Sequence, residues 1–217
     1  MIWTLIFDFD GTLHETGRIY VAAFRATREK LLADGYTVRE YTDSEIEGWL
    51  GVNTPDMWAQ FMPDLSPEQT DFYARYLGSV LNSLLSGPSA HLYDGAEETL
   101  TALKDQGYTM VILSNCMEAY RDAAIRRFGL ERWFTEFFCC QAYGDRPKED
   151  IFPEIAGRYP GPFCVIGDRA SDLKTAQVHG LYSIGCAYGY GTRAELAGAD
   201  VIVDSVRNIP AAVGQFA

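Results

Sequence analysis

The spacing of apolar residues changes character along the chain, and each change predicts an element. Ile2 to Phe7, IWTLIF, is an unbroken run of aliphatic, aromatic and β-branched residues, the pattern of a strand buried on both faces. It stops at Asp8-Phe9-Asp10-Gly11-Thr12, a polar stretch that reads as the loop leaving the strand's carboxyl end. If the backbone stays extended through Phe9, the carboxylates of Asp8 and Asp10 lie on one side and share a site. From Thr12 onward the apolar positions Ile19, Ala22, Ala23, Ala26 and Leu31 take helical spacing, with Gly35 beyond the end. Helical signals continue to Leu84. Ser44 with Glu47 fits a capping box opening a short helix to Leu50, Thr54 to Met62 gives another, and Ser66, Pro67 and Gln69 supply the N-cap, N1 and N3 residues of a longer one. In that helix Tyr73, Tyr76, Leu77, Val80, Leu81 and Leu84 form one stripe. Trp49, Trp58, Phe61, Phe72 and Tyr73 are expected to pack between helices rather than to form a cofactor box.

Ser86-Gly87-Pro88-Ser89 breaks the helical pattern, and strands and helices alternate thereafter. Asp94 and Glu97 suggest a capping box for a helix ending near Gly107. Strands follow at 108–113, 137–141, 163–167, 182–187 and 201–203, separated by helices at 117–128, 150–158 and 171–180, with a weak helix at the C-terminus. This repetition predicts an α/β fold, a doubly wound, Rossmann-like, mainly parallel sheet formed by residues 1–14 and 91–217, with residues 15–90 inserted as an all-helical unit. In such a fold the ligand site lies at the carboxyl ends of the strands, around a topological switch point. No internal repeat or low-complexity segment interrupts it.

Composition narrows the partners. A chain of 217 residues, 47% hydrophobic and 22% charged, is long enough for one full-sized core plus a smaller unit. Its net charge of −12 opposes binding to nucleic acid or to an anionic membrane surface. Cys116, Cys139, Cys140, Cys164 and Cys186 lie in or beside apolar runs, without C-x-x-C or zinc-ligand spacing, and are expected to be reduced and mostly buried. The first apolar run is too short for a signal peptide or membrane span, and no later one suffices, so a cytoplasmic protein is expected.

The fold pattern singles out residues just after strands. Ser114 and Asn115 offer a hydroxyl and an amide for anionic oxygens without adding charge. Gly167-Asp168-Arg169-Ala170-Ser171-Asp172 puts Asp168 at a strand tip and Asp172 near the next helix start; either Asp172 or Ser171 alone could be a helix cap. Together with Asp8 and Asp10, these carboxylates would repel one another unless a cation sits among them, and an all-oxygen set of this size suits Mg²⁺.

Asp8-Phe9-Asp10-Gly11-Thr12, Ser114-Asn115, a lysine before the helix at Asp150, and Gly167-Asp168 with Asp172 resemble, in order, the four motifs of the haloacid dehalogenase-like phosphatases. The helical insert is similar to the mobile cap of the phosphoglycolate phosphatase and phosphomutase branch, making residues 15–90 a cap and the rest a catalytic core. Tyr188-Gly189-Tyr190-Gly191 and Arg193-Ala194-Glu195-Leu196 also resemble the tail of phosphoglycolate phosphatase-like members. The resemblance implies a Mg²⁺-dependent phosphoric monoester hydrolase working through an aspartyl-phosphate. Asp8 would be the nucleophile and Asp10 the acid/base; Asp8, the Asp10 carbonyl, Asp168 and Asp172 would hold the metal. Ser114 and Asn115, with the first loop at Gly11 and Thr12, would hold phosphoryl oxygens. In the third motif, counting back from Ile151-Phe152 puts Arg146 in the lysine's place, whereas matching by residue type chooses Lys148. Lys148 is preferred because a compact ammonium can screen both nucleophile and phosphoryl oxygen.

The implied substrate is a small phosphorylated metabolite such as phosphoglycolate or a sugar phosphate, with Arg18, Asn53 and Thr54 as candidate pocket residues and a monomer or weak homodimer as the expected state. A phosphomutase or nucleotidase of the same superfamily, or a binding protein without turnover, are the alternatives. His14 and Arg18 are expected to border the entrance, Arg169 to form an ordinary ion pair, and His91 and His179 to be surface or satisfied-core residues.

Overall fold

A computed structural model describes residues 3–216 and arranges six strands, β1 (Thr4–Phe7), β2 (Thr109–Ser114), β3 (Glu136–Cys139), β4 (Phe163–Gly167), β5 (Tyr182–Cys186) and β6 (Val201–Val203), in one parallel sheet of order β3-β2-β1-β4-β5-β6. Ile2, placed in the first strand by its apolar run, lies outside the described residues. Alternation along the strands divides the core between two faces. Leu5, Phe7, Ile112, Cys164 and Ile166 belong to one buried cluster and Ile6, Val111, Leu113 and Val165 to the other. Each of the buried Leu, Ile, Val and Phe side chains among them contributes about 1.5–3 kcal/mol, and strands covered on both faces read as continuously apolar. The strand order turns back at β1, whose neighbours are β2 and β4, so the loops after β1 and β4 open side by side at the switch point.

Four helices, α1 (Gly17–Ala33), α2 (Asp43–Glu47), α3 (Thr54–Phe61) and α4 (Pro67–Leu85), lie between β1 and the rest of the sheet in sequence. Their shared interior is aromatic: the Phe24 ring lies 5.1 Å from Trp49 and 4.6 Å from Phe61. Phe72 is an exception to the expected packing, being half exposed. The chain enters and leaves this unit side by side. Glu15 N–H donates to the His91 carbonyl (3.2 Å) and Tyr93 N–H to that of Leu13 (2.9 Å). Among the described residues no helix is long and apolar enough to cross a membrane.

Helix starts are where local signals misled. α4 has the expected Ser66–Gln69 capping box with Pro67 in its first turn, but α2 is capped by Thr42 with Glu45, not by Ser44 with Glu47. Both pairs have suitable spacing, and Thr42 prevails because its extended backbone lets side chain and amide exchange bonds with Glu45. Helix α5 (Ala96–Asp105) starts from Gly95 at φ +90°, and Asp94 instead pairs with Arg207 at 3.0 Å. Helices α6 (Glu118–Phe128), α7 (Lys148–Ala156), α8 (Ala170–His179) and α9 (Ile209–Val213) complete the core. α7 begins two residues before the expected Asp150, so Lys148 is in its first turn rather than in the loop before it.

Candidate active site

The loop after β1 is built around Phe9. Asp8 N–H donates to the Ile166 carbonyl at 2.8 Å, carrying the sheet pairing one residue beyond β1. Phe9 is fully buried, its ring 5.5 Å from Phe137 and 6.2 Å from Phe128, and it anchors the loop while Asp8 and Asp10 face the crevice. The Phe9 carbonyl accepts from Leu13 and His14 N–H, both at 2.9 Å, which closes the turn. Gly11 sits at φ +89°, where a β-carbon would lie 2.3 Å from an Asp168 carboxylate oxygen; only glycine lets these two loops approach.

Carboxylate oxygens of Asp8, Asp168 and Asp172 lie within 4.8 Å of one another, all buried. Lys148 Nζ enters this group, donating to Asp8 Oδ1 at 2.5 Å and Asp172 Oδ1 at 2.6 Å. Asp168 is fixed by Tyr190 N–H (2.7 Å) and the Thr12 hydroxyl (3.3 Å). The second oxygen of Asp172 accepts from Arg169 N–H at 2.9 Å, so this residue both caps α8 and reaches the cluster.

The electrostatics follow from burial. Burial pushes the Asp8 carboxyl well above its ordinary range; Lys148 opposes this, and Asp172 and Asp168 reinforce it. Burial and then Asp172 raise Asp168 to about 7, against the Tyr190 N–H, Arg169 and Lys148. For Lys148, burial works against the charge, but Asp172 and Asp8 outweigh it and hold the ammonium above its ordinary value. When ionised, three carboxylates against one ammonium leave two negative charges uncompensated, a donor set that fits one divalent cation. A pH dependence follows. With EDTA present, folded Asp168 binds its proton up to about pH 7 while the unfolded chain loses it near pH 4, so stability should fall as pH rises through that window. Denaturant melts at several pH values should show this decline, and added Mg²⁺ should flatten it.

Asp10 is held differently. Its Oδ1 accepts from the Thr16 hydroxyl (2.5 Å) and the Tyr120 hydroxyl (2.6 Å), with His14 Nδ1 at 3.3 Å. Among the described residues no side-chain bond reaches Oδ2, and Asp10 lines the cavity between the core and the inserted helices. Ser114 ends β2, buried beside β3. Asn115 spans the two units, donating to the Gly51 carbonyl and accepting from the Cys140 thiol, both at 2.8 Å. Arg169 pairs with Glu195 at 3.1 Å, as expected of an ordinary ion pair, and also donates to the Gly48 carbonyl (3.1 Å) and to that of Leu50.

Other expected residues do not converge. Arg146 is exposed and donates to the Asp150 carbonyl at 2.6 Å; its guanidinium is drawn to the first turn of α7. Arg18 is exposed and paired with Glu15. Asn53 caps α3 by accepting from Asp56 N–H (2.9 Å), whereas Thr54 lines the cavity. His14 is not at the entrance: it is fully buried behind Asp10, because the turn closed by Phe9 folds it inward. His91 pairs with Glu15 at 2.6 Å and His179 reaches the Glu149 carbonyl at 2.7 Å. All five cysteines are free, and all but Cys116 are buried. Sequence reasoning missed Thr16 and Tyr120. Thr16 shares a loop with Asp10 and was within reach of a local reading; Tyr120 is 110 residues away and carried no local signal.

A family model described as haloacid dehalogenase-like hydrolase matches residues 5–186. A phosphoglycolate phosphatase from Vibrio vulnificus is 26% identical over 94% of this chain and 93% of its own. Pyrophosphatase PpaX from Bacillus pumilus is 24% identical over 85% of this chain and 83% of its own. A solved structure of a predicted phosphatase from Clostridium acetobutylicum superposes with a TM-score of 0.85 at 23% identity, covering 99% of each chain.

Proposed function

The chain belongs to the haloacid dehalogenase-like hydrolases, and on that premise we propose that it is a Mg²⁺-dependent phosphatase that cleaves a small phosphorylated metabolite through an aspartyl-phosphate on Asp8. The observation that carries this reading is the Lys148 ammonium held at 2.5 Å from Asp8 and 2.6 Å from Asp172, with Asp10 independently oriented beside it. A binding protein would need neither a screened carboxylate nor a second, separately held one. The relatives' names support phosphoryl chemistry, and the free cysteines support a cytoplasmic setting.

In this mechanism Asp8 attacks phosphorus in line, and the bond to the leaving oxygen breaks as the aspartyl-phosphate forms. Lys148 screens the carboxylate from the incoming dianion. Asp10 donates its proton to the departing alkoxide, then takes one from the water that attacks the aspartyl-phosphate, which releases phosphate and restores Asp8. Ser114 and the Thr12 N–H hold the phosphoryl oxygens, the Gly11 N–H being bonded to the His14 carbonyl at 2.9 Å. Mg²⁺ bound by Asp8, Asp168, Asp172 and the Asp10 carbonyl would keep the cluster ionised and polarise the phosphoryl group.

The test is phosphate release from acetyl phosphate and p-nitrophenyl phosphate with Mg²⁺ and with EDTA. Absence of metal-dependent release from both, and from a panel of phosphomonoesters, would refute the reading. Asp10→Asn should lower kcat on an alkyl phosphate by about 10²-fold with KM little changed. Tyr120→Phe removes one charge-assisted bond to Asp10 and should cost on the order of 10-fold. Steady-state kinetics on the two variants will show whether the losses rank in that order.

A further inference from the structure

The cavity that meets Asp10 runs under the inserted helices. Tyr20 of α1, Met57 and Trp58 of α3, and Leu77 and Leu81 of α4 are all buried and form its apolar wall together with Trp49. None of the described residues lining it is Lys, Arg or His. The cations nearby are already engaged: Lys148 between Asp8 and Asp172, and Arg169 with Glu195 and the Gly48 carbonyl. The Thr16 and Tyr120 hydroxyls donate to Asp10, and both ends of the Asn115 amide are bonded. Of the side-chain hydroxyls on this wall, those of Tyr20 and Thr54 remain, fewer partners than a polyol needs, and an anion here would be buried without a counter-charge, facing the Asp10 carboxylate. The space is small, about 90 Å³; an apolar cavity of roughly 150 Å³ takes a benzene ring.

We propose that the alcohol released at this site is small, uncharged and predominantly apolar, of the short-chain alkyl class, rather than a hydroxy acid, a polyol or a second phosphate. This rests on the phosphatase reading above and sharpens it. Phosphoglycolate carries a carboxylate, and pyrophosphate a further phosphoryl group, into a region whose described lining is mainly hydrocarbon and aromatic and holds no cationic side chain.

The experiment compares kcat/KM for n-propyl phosphate, glycerol phosphate, phosphoglycolate and pyrophosphate, with acetyl phosphate as a reactive probe of the chemistry itself. n-Propyl phosphate should exceed each of the other three by at least about 10-fold. Met57→Lys, which brings an ammonium into the wall, should reduce that advantage over phosphoglycolate. Leu77→Ala, which enlarges the cavity without adding charge, should shift the preference toward a longer alkyl chain and keeps the proposal testable if the lysine variant fails to fold. If acetyl phosphate is turned over but phosphoglycolate, glycerol phosphate or pyrophosphate matches or exceeds the alkyl ester, the leaving-group assignment is overturned and the phosphatase reading stands. If nothing in the panel, acetyl phosphate included, is turned over, both fall together.

Discussion

Asp8→Asn is expected to abolish turnover, lowering kcat by on the order of 10⁴-fold or more, while leaving the fold intact. The carboxamide is nearly isosteric but is not a nucleophile, and no other carboxylate can substitute: Asp168 and Asp172 are tied to Tyr190 N–H and Arg169 N–H, and Asp10 to Thr16 and Tyr120. Stability should move the other way. Burial raises the Asp8 carboxyl well above its ordinary range, so ionising it in the metal-free protein carries a cost. For a group whose pKa is higher folded than unfolded, stability declines as pH rises through the folded value, and an uncharged amide removes that decline. Asp8→Asn should therefore melt no lower than the parent chain in EDTA at pH 7, and higher if the carboxylate is ionised there. Turnover retained within about tenfold of the parent would exclude an aspartyl-phosphate on Asp8.

Lys148→Met should impair both stability and activity. Its ammonium is the cation that two buried carboxylates share, with both partners within 2.6 Å and all three side chains at most 4% exposed. Removing one partner of a buried ionic group typically costs about 3–5 kcal/mol, because the charges left behind are uncompensated. Denaturant melts in EDTA should show a loss of that order, and Mg²⁺ should recover part of it by binding the same carboxylates. Activity at saturating Mg²⁺ should remain down by about 10²–10³-fold, since the screening of nucleophile and phosphoryl group is lost. Lys148→Arg should not rescue, because a planar guanidinium cannot replace a point charge bonded at these distances to two separate carboxylates. Arg146→Ala is the paired control. Its side chain is exposed and bonded to Asp150, so near-parental kinetics are expected, and a large loss there would shift the third-motif role to Arg146.

Local pattern determined much of this protein. The Ile2–Phe7 run ending in Asp8-Phe9-Asp10-Gly11, and the later alternation of strands and helices, were enough to anticipate a parallel sheet with Asp8 and Asp168 on neighbouring strand ends, because the periodicities of strand and helix repeat within a few residues. Helix starts were less legible. Thr42 or Ser44, Lys148 or Asp150: each candidate had suitable neighbours, and the choice depended on backbone geometry that sequence spacing does not carry. The tertiary structure alone decided that Tyr120 orients Asp10, that His14 is buried behind it rather than exposed, and that three helices line the space over Asp10 with uncharged side chains. Those facts depend on contacts between residues far apart in the chain, made only when the inserted helices pack against the sheet. Residue type fixes the chemistry a side chain can perform, but its neighbours are fixed by the fold, so the carboxylate proposed as nucleophile was visible in the sequence and the pocket beside it was not.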